Sequence, residues 1–462
     1  MRRLLAWLMP AGAILASCGW IGLIEPTETR YAEIAREMLA GGDWLIPHLN
    51  GIPHFDKPPL AYWATASGMA LLGVNEWGAR LGAALAAGFV LWCTARMGRQ
   101  AGGALAPMFL ASSILFFAIS HQLASDIFLA AAVAGFYAAM LDPRGRTKIW
   151  PFVALGVGFM AKGPVVFVTT LAPVLLAAAW VRDRALVRWL ASWRGWVVFA
   201  LIALPWYVAV LVRTPGLMTY FLNRQLWERY AMTIHQRGGP IYYFIVVILV
   251  GMLPWTWAAL RGLSEAIRAR GEGRQADALL ASWIALPLVF FSFSGSKLPA
   301  YVLPMFPALA VLASCWPSEA RRGHWLRIGG VVFAVLLALL AAATPFDTRL
   351  GSPRAIAQKL KESRRAGEPV VEYGKFNAGV PFYLREIVPM LEVARDLEFQ
   401  APTARAGIII SRDEFAHMIL TGGSGWVVGN QADTEALAKA LGFKASLVAG
   451  SGDQSLLLLQ RS

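Results

Sequence analysis

Ionisable side chains set in apolar sequence are the first places to look for chemistry in this chain. Glu28 and Arg30 lie in IEPTETRYAEIAREM, residues 24–38, directly behind an apolar run from Leu4 to Leu23. Asp56 and Lys57 precede a double proline in GDWLIPHLNGIPHFDKPPLAYW. Asp126 opens an apolar segment in LASDIF, Lys162 separates two such segments in FMAKGP, and Lys297 and Tyr301 share FSGSKLPAYVLP. A charge in apolar surroundings is costly and usually faces a cavity. Cations placed there suit a phosphate or pyrophosphate. Carboxylates beside them suit proton transfer or a metal ion. For any single residue the alternative is an internal ion pair that only holds the structure. As a set, Arg30, the three lysines and the acids predict one outward-facing pocket.

The elements that must position these residues follow from composition. The chain has 462 residues, 57% of them hydrophobic and 15% charged, with a mean hydropathy of +0.53. A soluble domain carries about 25% charged residues. Windows of about 20 apolar residues recur, the length that spans a bilayer's hydrocarbon as a helix. The short alternating segments of a β-barrel are missing from the sequence. The expectation is therefore a mainly α, polytopic transmembrane fold. The net charge of +14 would suggest nucleic acid in a soluble protein. Here the excess of Lys and Arg on cytoplasmic loops explains it, so no nucleic-acid partner is expected. Cys18, Cys93 and Cys315 form no CxxC pair and read as packing residues. Met-Arg-Arg followed by a long apolar run reads as a retained first span rather than a signal peptide.

About eleven spans are expected, near 4–23, 75–95, 101–120, 124–141, 149–161, 163–181, 196–212, 241–260, 276–294, 299–315 and 326–343. The AKGP stretch either separates two of them or bends one. Residues 59–73 are apolar but short and read as an interfacial helix. With the N-terminus inside, alternate loops carry Arg96 and Arg99; Arg144, Arg146 and Lys148; Arg182, Arg184, Arg188 and Arg194; Arg261, Arg268, Arg270 and Arg274; and Arg321, Arg322 and Arg327. Each is basic, as a cytoplasmic loop should be. The C-terminus then lies outside, as does the first loop, 24–74. In that loop Tyr31, Ile34, Ala35, Met38 and Leu39 share one face of an amphipathic helix. From about 346 the pattern changes to strand-sized runs, PVVEYG, GIIIS, GWVVGN and SLLLLQ, between polar helical stretches. The expected division is a membrane domain over 1–345 and a small soluble α/β domain over 346–462 on the outer, periplasmic face.

The stretch ETRYAEIAREMLAGGDWLIPHLNGIPHFDKPPLAYW resembles the first outer loop of the aminoarabinose lipid A transferases, members of the protein-O-mannosyltransferase-like superfamily of GT-C glycosyltransferases. The resemblance continues through LASDIF, FMAKGP, FFSFSGSKLPAYVLP, VEYGKFNAGVPFYL and SRDEF, in order along nearly the whole chain. It implies a multi-pass enzyme of the bacterial inner membrane that takes a sugar from a polyprenyl-phosphate carrier. The acceptor is a hydroxyl or phosphate on a lipid, glycan or protein. By position it implies that Arg30, Lys57 and Lys162 hold the donor phosphate, helped by Lys297 and Tyr301. Relatives carry an Asp-Glu pair before the Arg-Tyr motif; here it is Thr27 and Glu28. Threonine cannot act as a carboxylate base, though it can cap the following helix. The catalytic acid is then expected to be Glu28, with Asp126 second and Glu25 as a further option, unless the acceptor is a phosphate that needs little deprotonation. Relatives can also share a divalent metal between the acid at Asp56 and a histidine of a later loop. Leu226 stands at that histidine's place and His235 lies nearby, which puts a metal cofactor in doubt. Two other function classes fit part of the pattern: a lipid-linked sugar flippase, and a catalytically altered membrane scaffold.

Overall fold

The computed structural model describes residues 2–101, 103–142, 149–222, 238–269, 274–315, 319–393, 407–451 and 454–461. The chain divides into two compact units that interleave in sequence. The first holds Met1–Cys18, Lys57–Ala61 and Arg80–Leu339; the second holds Gly19–Asp56, Tyr62–Ala79 and Leu340–Ser462.

The apolar runs fold as helices because a helix satisfies its own backbone in lipid. Among the described residues, four helices are long and apolar enough to cross a membrane: Glu76–Gln100, Trp193–Arg213, Arg274–Ser292 and Arg322–Phe346. Two bent pairs raise this to six if each pair counts as one span. Ile114–Ser120 meets Ser125–Met140 at 116°, and Tyr243–Gly251 meets Thr256–Arg268 at 114°. Shorter apolar helices include Trp7–Ser17, Leu60–Leu72, Trp150–Lys162, Val165–Val181 and Pro299–Cys315. The chain is a multi-pass membrane protein, and several of its apolar segments are broken rather than straight.

The breaks have local causes. The segment expected at 101–120 forms two helices, Ala106–Ala111 and Ile114–Ser120. Between them the Ser112 and Ser113 hydroxyls donate to the Met108 and Leu110 carbonyls, at 2.6 and 2.7 Å, a back-bonding that bends helices. The Trp255 indole N–H donates to Ser112 Oγ at 2.9 Å and its ring stacks on Phe109 at 4.0 Å. Those contacts fix the break in the second bent pair at the same place. At AKGP the helix Trp150–Lys162 stops on Gly163, whose φ of +71° suits glycine. Pro164 then leads into Val165–Thr169, so AKGP separates two helices.

In the second unit, Thr27–Gly41 is a helix and β1 (His48–Leu49) pairs antiparallel with β2 (Ile52–Pro53). Asn50 and Gly51 turn the hairpin with φ of 52° and 76°, the left-handed pair that favours Asn-Gly. The remaining strands are β3 (Val370–Tyr373), β4 (Met390–Leu391), β5 (Ile409–Ile410), β6 (Ser424–Gly429), β7 (Phe443–Ser451) and β8 (Gln454–Arg461). They form one sheet in the order β5-β4-β3-β6-β8-β7. Strands β3 to β6 run parallel, while β8 is antiparallel to β6 and β7. Successive residues face opposite sides of a strand, so Val371, Val427 and Leu457 pack with Phe415, Ile419 and Leu437. Val370, Trp426, Val428 and Leu456 pack on the other side with Ile356, Leu360 and Val380. Both faces are therefore covered by helices.

The first loop is built onto this sheet unit. Asn50 Nδ2 donates to the Val388 carbonyl at 2.7 Å, and the Val388 N–H donates to Asn50 Oδ1 at 2.9 Å. Glu37 accepts from the Asn50 and Gly51 N–H groups at 2.5 and 2.8 Å. Arg36 and Glu33 form a two-bond ion pair, both bonds 2.6 Å. The helix Thr27–Gly41 thus buries Glu28, Glu33 and Arg36 along with Tyr31, Ile34, Ala35 and Met38. The amphipathic helix expected from the sequence is thus enclosed by protein on most sides, and charges on its polar face, Glu33, Arg36 and Glu37, find partners there.

Asn50→Ala removes two hydrogen bonds and leaves the Val388 backbone groups buried without partners, at about 1–3 kcal/mol per group. The variant should unfold several degrees lower in a thermal scan in detergent. An unchanged midpoint would show that the clamp contributes nothing.

Candidate active site

The antiparallel course of Ser125–Met140 and Trp150–Lys162 brings the start of one helix to the end of the other. Asp126 lies in the first turn of the former and Lys162 is the last residue of the latter. A carboxylate at a helix N-terminus and a cation at a C-terminus are each favoured by the helix dipole. Their side chains meet: Lys162 Nζ lies 2.5 Å from Asp126 Oδ1, with 16% and 12% of the two side chains exposed. The same ammonium sits 4.4 Å from the centre of the Tyr301 ring, a cation–π contact. Tyr301 is held in turn against Phe291 and Phe244, with ring centres 5.6 and 6.2 Å away. It belongs to a 3-10 segment, Pro299–Met305, that follows the loop carrying Lys297. Lys297 is buried, and its ammonium donates to the Ser294 carbonyl at 2.7 Å. Its stem leaves no slack at Gly239, where a methyl group would come within 3.2 Å of Lys297 Cδ.

Asp126, Lys162 and Tyr301 are therefore one contact cluster, with Lys297 on the adjoining loop. Lys57 belongs to the same unit and is half-buried. The arrangement can present ammonium groups to an anion in surroundings poor in water, where each contact is stronger than in bulk solvent. Nothing in the spacing marks His121 in advance. Its imidazole lies 2.8 Å from Ser17 Oγ through Nε2 and 2.8 Å from the Phe117 carbonyl through Nδ1. It ties the first helix to the hairpin that carries Asp126.

The other acids and Arg30 lie in the second unit. Glu28 is buried, and its Oε2 accepts the Ile24 N–H at 3.0 Å while its own N–H donates to the Ile24 carbonyl at 3.2 Å. The capping role expected of Thr27 is not made. Thr27 is exposed and Pro26 holds the cap position without a side-chain bond, so Glu28 does the tying. Arg30 is half-buried, and no ion-pair or hydrogen-bond partner is found for it among the described residues. Glu25 keeps part of its surface exposed yet is ringed by protein, and Oε1 accepts the Gly379 N–H at 2.7 Å. Burial pushes its carboxyl up to about 7, partly offset by the Gly379 amide and the Arg30 and Lys375 charges. Burial likewise pushes Glu33 well above the usual carboxylate range, against the pull of Arg36.

Asp56 is half-buried. Among the described residues no group of three His, Cys, Asp or Glu side chains could hold a metal ion. Leu226 and His235 lie outside the described residues.

The sequence matches the family described as dolichyl-phosphate-mannose-protein mannosyltransferase over residues 21–221. The undecaprenyl phosphate-alpha-4-amino-4-deoxy-L-arabinose arabinosyl transferase of Edwardsiella ictaluri (strain 93-146) is 32% identical over 327 residues, which cover 67% of this chain and 58% of that one. The protein of the same name from Yersinia pestis (strain Pestoides F) is 31% identical over 361 residues, covering 73% and 62%. The chain thus spans about three-fifths of the length of the curated relatives it matches. Among solved structures, ArnT from Cupriavidus metallidurans bound to undecaprenyl phosphate has a TM-score of 0.84 at 24% identity, covering 98% of this chain and 97% of that one. The apo oligosaccharyltransferase of Archaeoglobus fulgidus has a TM-score of 0.59 at 11% identity, covering 98% and 74%. These likenesses fix the fold as mainly helical and GT-C. With that fold, the sequence matches and the ordered motifs, the chain belongs to the protein mannosyltransferase-like GT-C superfamily, as a relative of the aminoarabinose transferases.

Proposed function

We propose that this chain moves a sugar from a polyprenyl-phosphate carrier to an acceptor at the periplasmic face of a bacterial inner membrane. The relatives are named for transfer from an undecaprenyl-phosphate aminoarabinose, and a related structure holds undecaprenyl phosphate. Lipid A, which offers both hydroxyl and phosphate groups, is the first choice of acceptor among lipid, glycan and protein. The observation that carries the reading is the Lys162 ammonium fixed between Asp126 and the face of Tyr301. A cation so held cannot drift away as negative charge grows beside it.

In the proposed reaction the bond between the sugar's anomeric carbon and the carrier phosphate breaks. Its electron pair stays on the phosphate oxygen, and the acceptor oxygen bonds to the carbon. The carrier phosphate gains charge as it leaves, so fixed cations stabilise the transition state more than the ground state. We assign that role to Lys57, Lys162, Lys297 and Arg30, with Tyr301 orienting Lys162. Asp126 and Glu28 are assigned to steer the acceptor. With Thr27 in place of a carboxylate, a phosphate acceptor is favoured, because it is already ionised and needs no base.

Orientation and span count belong to the same proposal. The basic residues Arg96 and Arg99 near the end of Glu76–Gln100, Arg182, Arg184 and Arg188 after Leu171–Val181, and Arg261 and Arg268 in Thr256–Arg268 support the N-terminus inside. About eleven spans over 1–345 would then send residues 346–462 outside.

Purified protein given a polyprenyl-phosphate sugar and acceptor lipid should release free polyprenyl phosphate, followed by mass spectrometry of the lipid products. Lys57→Ala and Lys162→Ala should each lower that release by about 10²–10³-fold, the usual cost of one such donor. Full release by both variants would end the assignment. A second expectation concerns stability. Asp126→Ala strands a mostly buried ammonium, a loss of about 3–5 kcal/mol. The double variant with Lys162→Met should recover part of it, read as thermal midpoints of the single and double variants. Strict additivity would mean that the pair is not coupled.

A further inference from the structure

Residues 23–25 are sewn to the sheet unit at three points. The Leu23 N–H donates to the Tyr383 hydroxyl at 3.0 Å, and the Glu25 N–H donates to the Gly351 carbonyl at 3.3 Å. The Glu25 carboxylate takes the Gly379 N–H at 2.7 Å. Tyr383 is itself fixed by donating to Glu76 at 2.9 Å. Gly379 has no room for a larger residue. A methyl group there would lie 2.2 Å from Pro353 Cγ, 2.9 Å from Thr29 Cγ2 and 3.1 Å from Glu25 Oε1. The backbone amide therefore reaches Glu25 only because position 379 is glycine. Directly after this seam the helix Thr27–Gly41 begins, and Arg30 is in its first turn.

From this geometry we infer that Glu25 is a positioning residue: by latching onto Gly379 it sets the start of the helix and so aims Arg30 at the anionic group of the donor. The inference rests on the reading that Arg30 meets the carrier phosphate. The charged groups facing Glu25 are Arg30 from its own segment and Lys375 from the loop after β3. Folded, Glu25 keeps its proton up to about 7, against an ordinary 4.5. Its burial is fully stabilising below the ordinary value, and that contribution is lost as pH rises through about 7. A phosphodiester bound by Arg30 places a further negative charge near the carboxyl and favours its protonated form. Donor binding should then take up a proton, and a phosphodiester does not itself titrate near neutral pH.

The test measures donor and acceptor KM for wild type, Glu25→Gln and Glu25→Ala between about pH 6 and about pH 8, the window around the folded value. Wild-type donor KM should rise with pH, by at most about tenfold per unit, the limit for one proton. Glu25→Gln keeps an oxygen for Gly379 but cannot titrate, so its donor KM should be flat with pH. Glu25→Ala should raise donor KM by up to about tenfold, the cost of one lost hydrogen bond, with acceptor KM moving far less. A Glu25→Gln profile that keeps the wild-type slope overturns the inference, as does an equal rise of both KM values in Glu25→Ala. If wild type itself releases no carrier phosphate, the proposed transfer fails first. If wild type is active and the variants match it, the latch alone is wrong.

Discussion

A charge that leaves water must find a counter-charge or a hydrogen-bond donor within reach, and the cost of failing grows with burial. Most of the polar architecture here satisfies that constraint. In the helical unit it draws the end of Trp150–Lys162 to the start of Ser125–Met140, because Lys162 and Asp126 each need the other. The helix dipoles point the same way, so backbone and side chains agree on one geometry. Tyr301 adds a face that tolerates the ammonium without neutralising it. An ammonium held on two sides in this way suits the proposed anion-stabilising role, since donors already in place need not reorganise during a reaction.

In the sheet unit the same constraint gives a different result. Glu33 and Arg36 satisfy one another, Glu37 is taken up by the hairpin backbone, and Glu28 by Ile24. The dense charge of residues 24–38 is mostly structural. Arg30 stands apart from it: among the described residues its guanidinium makes no ion pair or hydrogen bond, which suits the role proposed for it toward an anion.

Local signals in the sequence were enough for several of these elements. AKGP carries a helix stop and a helix start in adjacent residues, Gly163 and Pro164. Asn50-Gly51 carries a hairpin, and the runs PVVEYG, GIIIS, GWVVGN and SLLLLQ correspond to β3, β5, β6 and β8. Lys162 and Asp126 could be singled out because each interrupts an apolar run. What could not be read depends on partners far away in the chain. Asn50 meets Val388 across 338 positions and Glu25 meets Gly379 across 354, and no spacing rule connects them. Thr27 misled for a related reason: threonine suits a cap in general, but here Glu28 reaches back to Ile24 first. The serine-driven break at residues 112–113 also escapes hydropathy, which sees only an apolar run.

The long reach of the Asn50–Val388 clamp has a consequence for biosynthesis. Residue 50 leaves the ribosome 338 residues before its partner, which at about 5–20 residues per second is a wait of roughly 20 to 70 s. During that interval the Asn50 side-chain amide lacks the Val388 backbone groups it pairs with in the folded chain. A nascent chain stopped short of residue 388 would carry the hairpin without this clamp, open to proteases and to quality control. Synthesis of Val388, just ahead of β4, is thus the step at which this early-made segment gains its distant anchor.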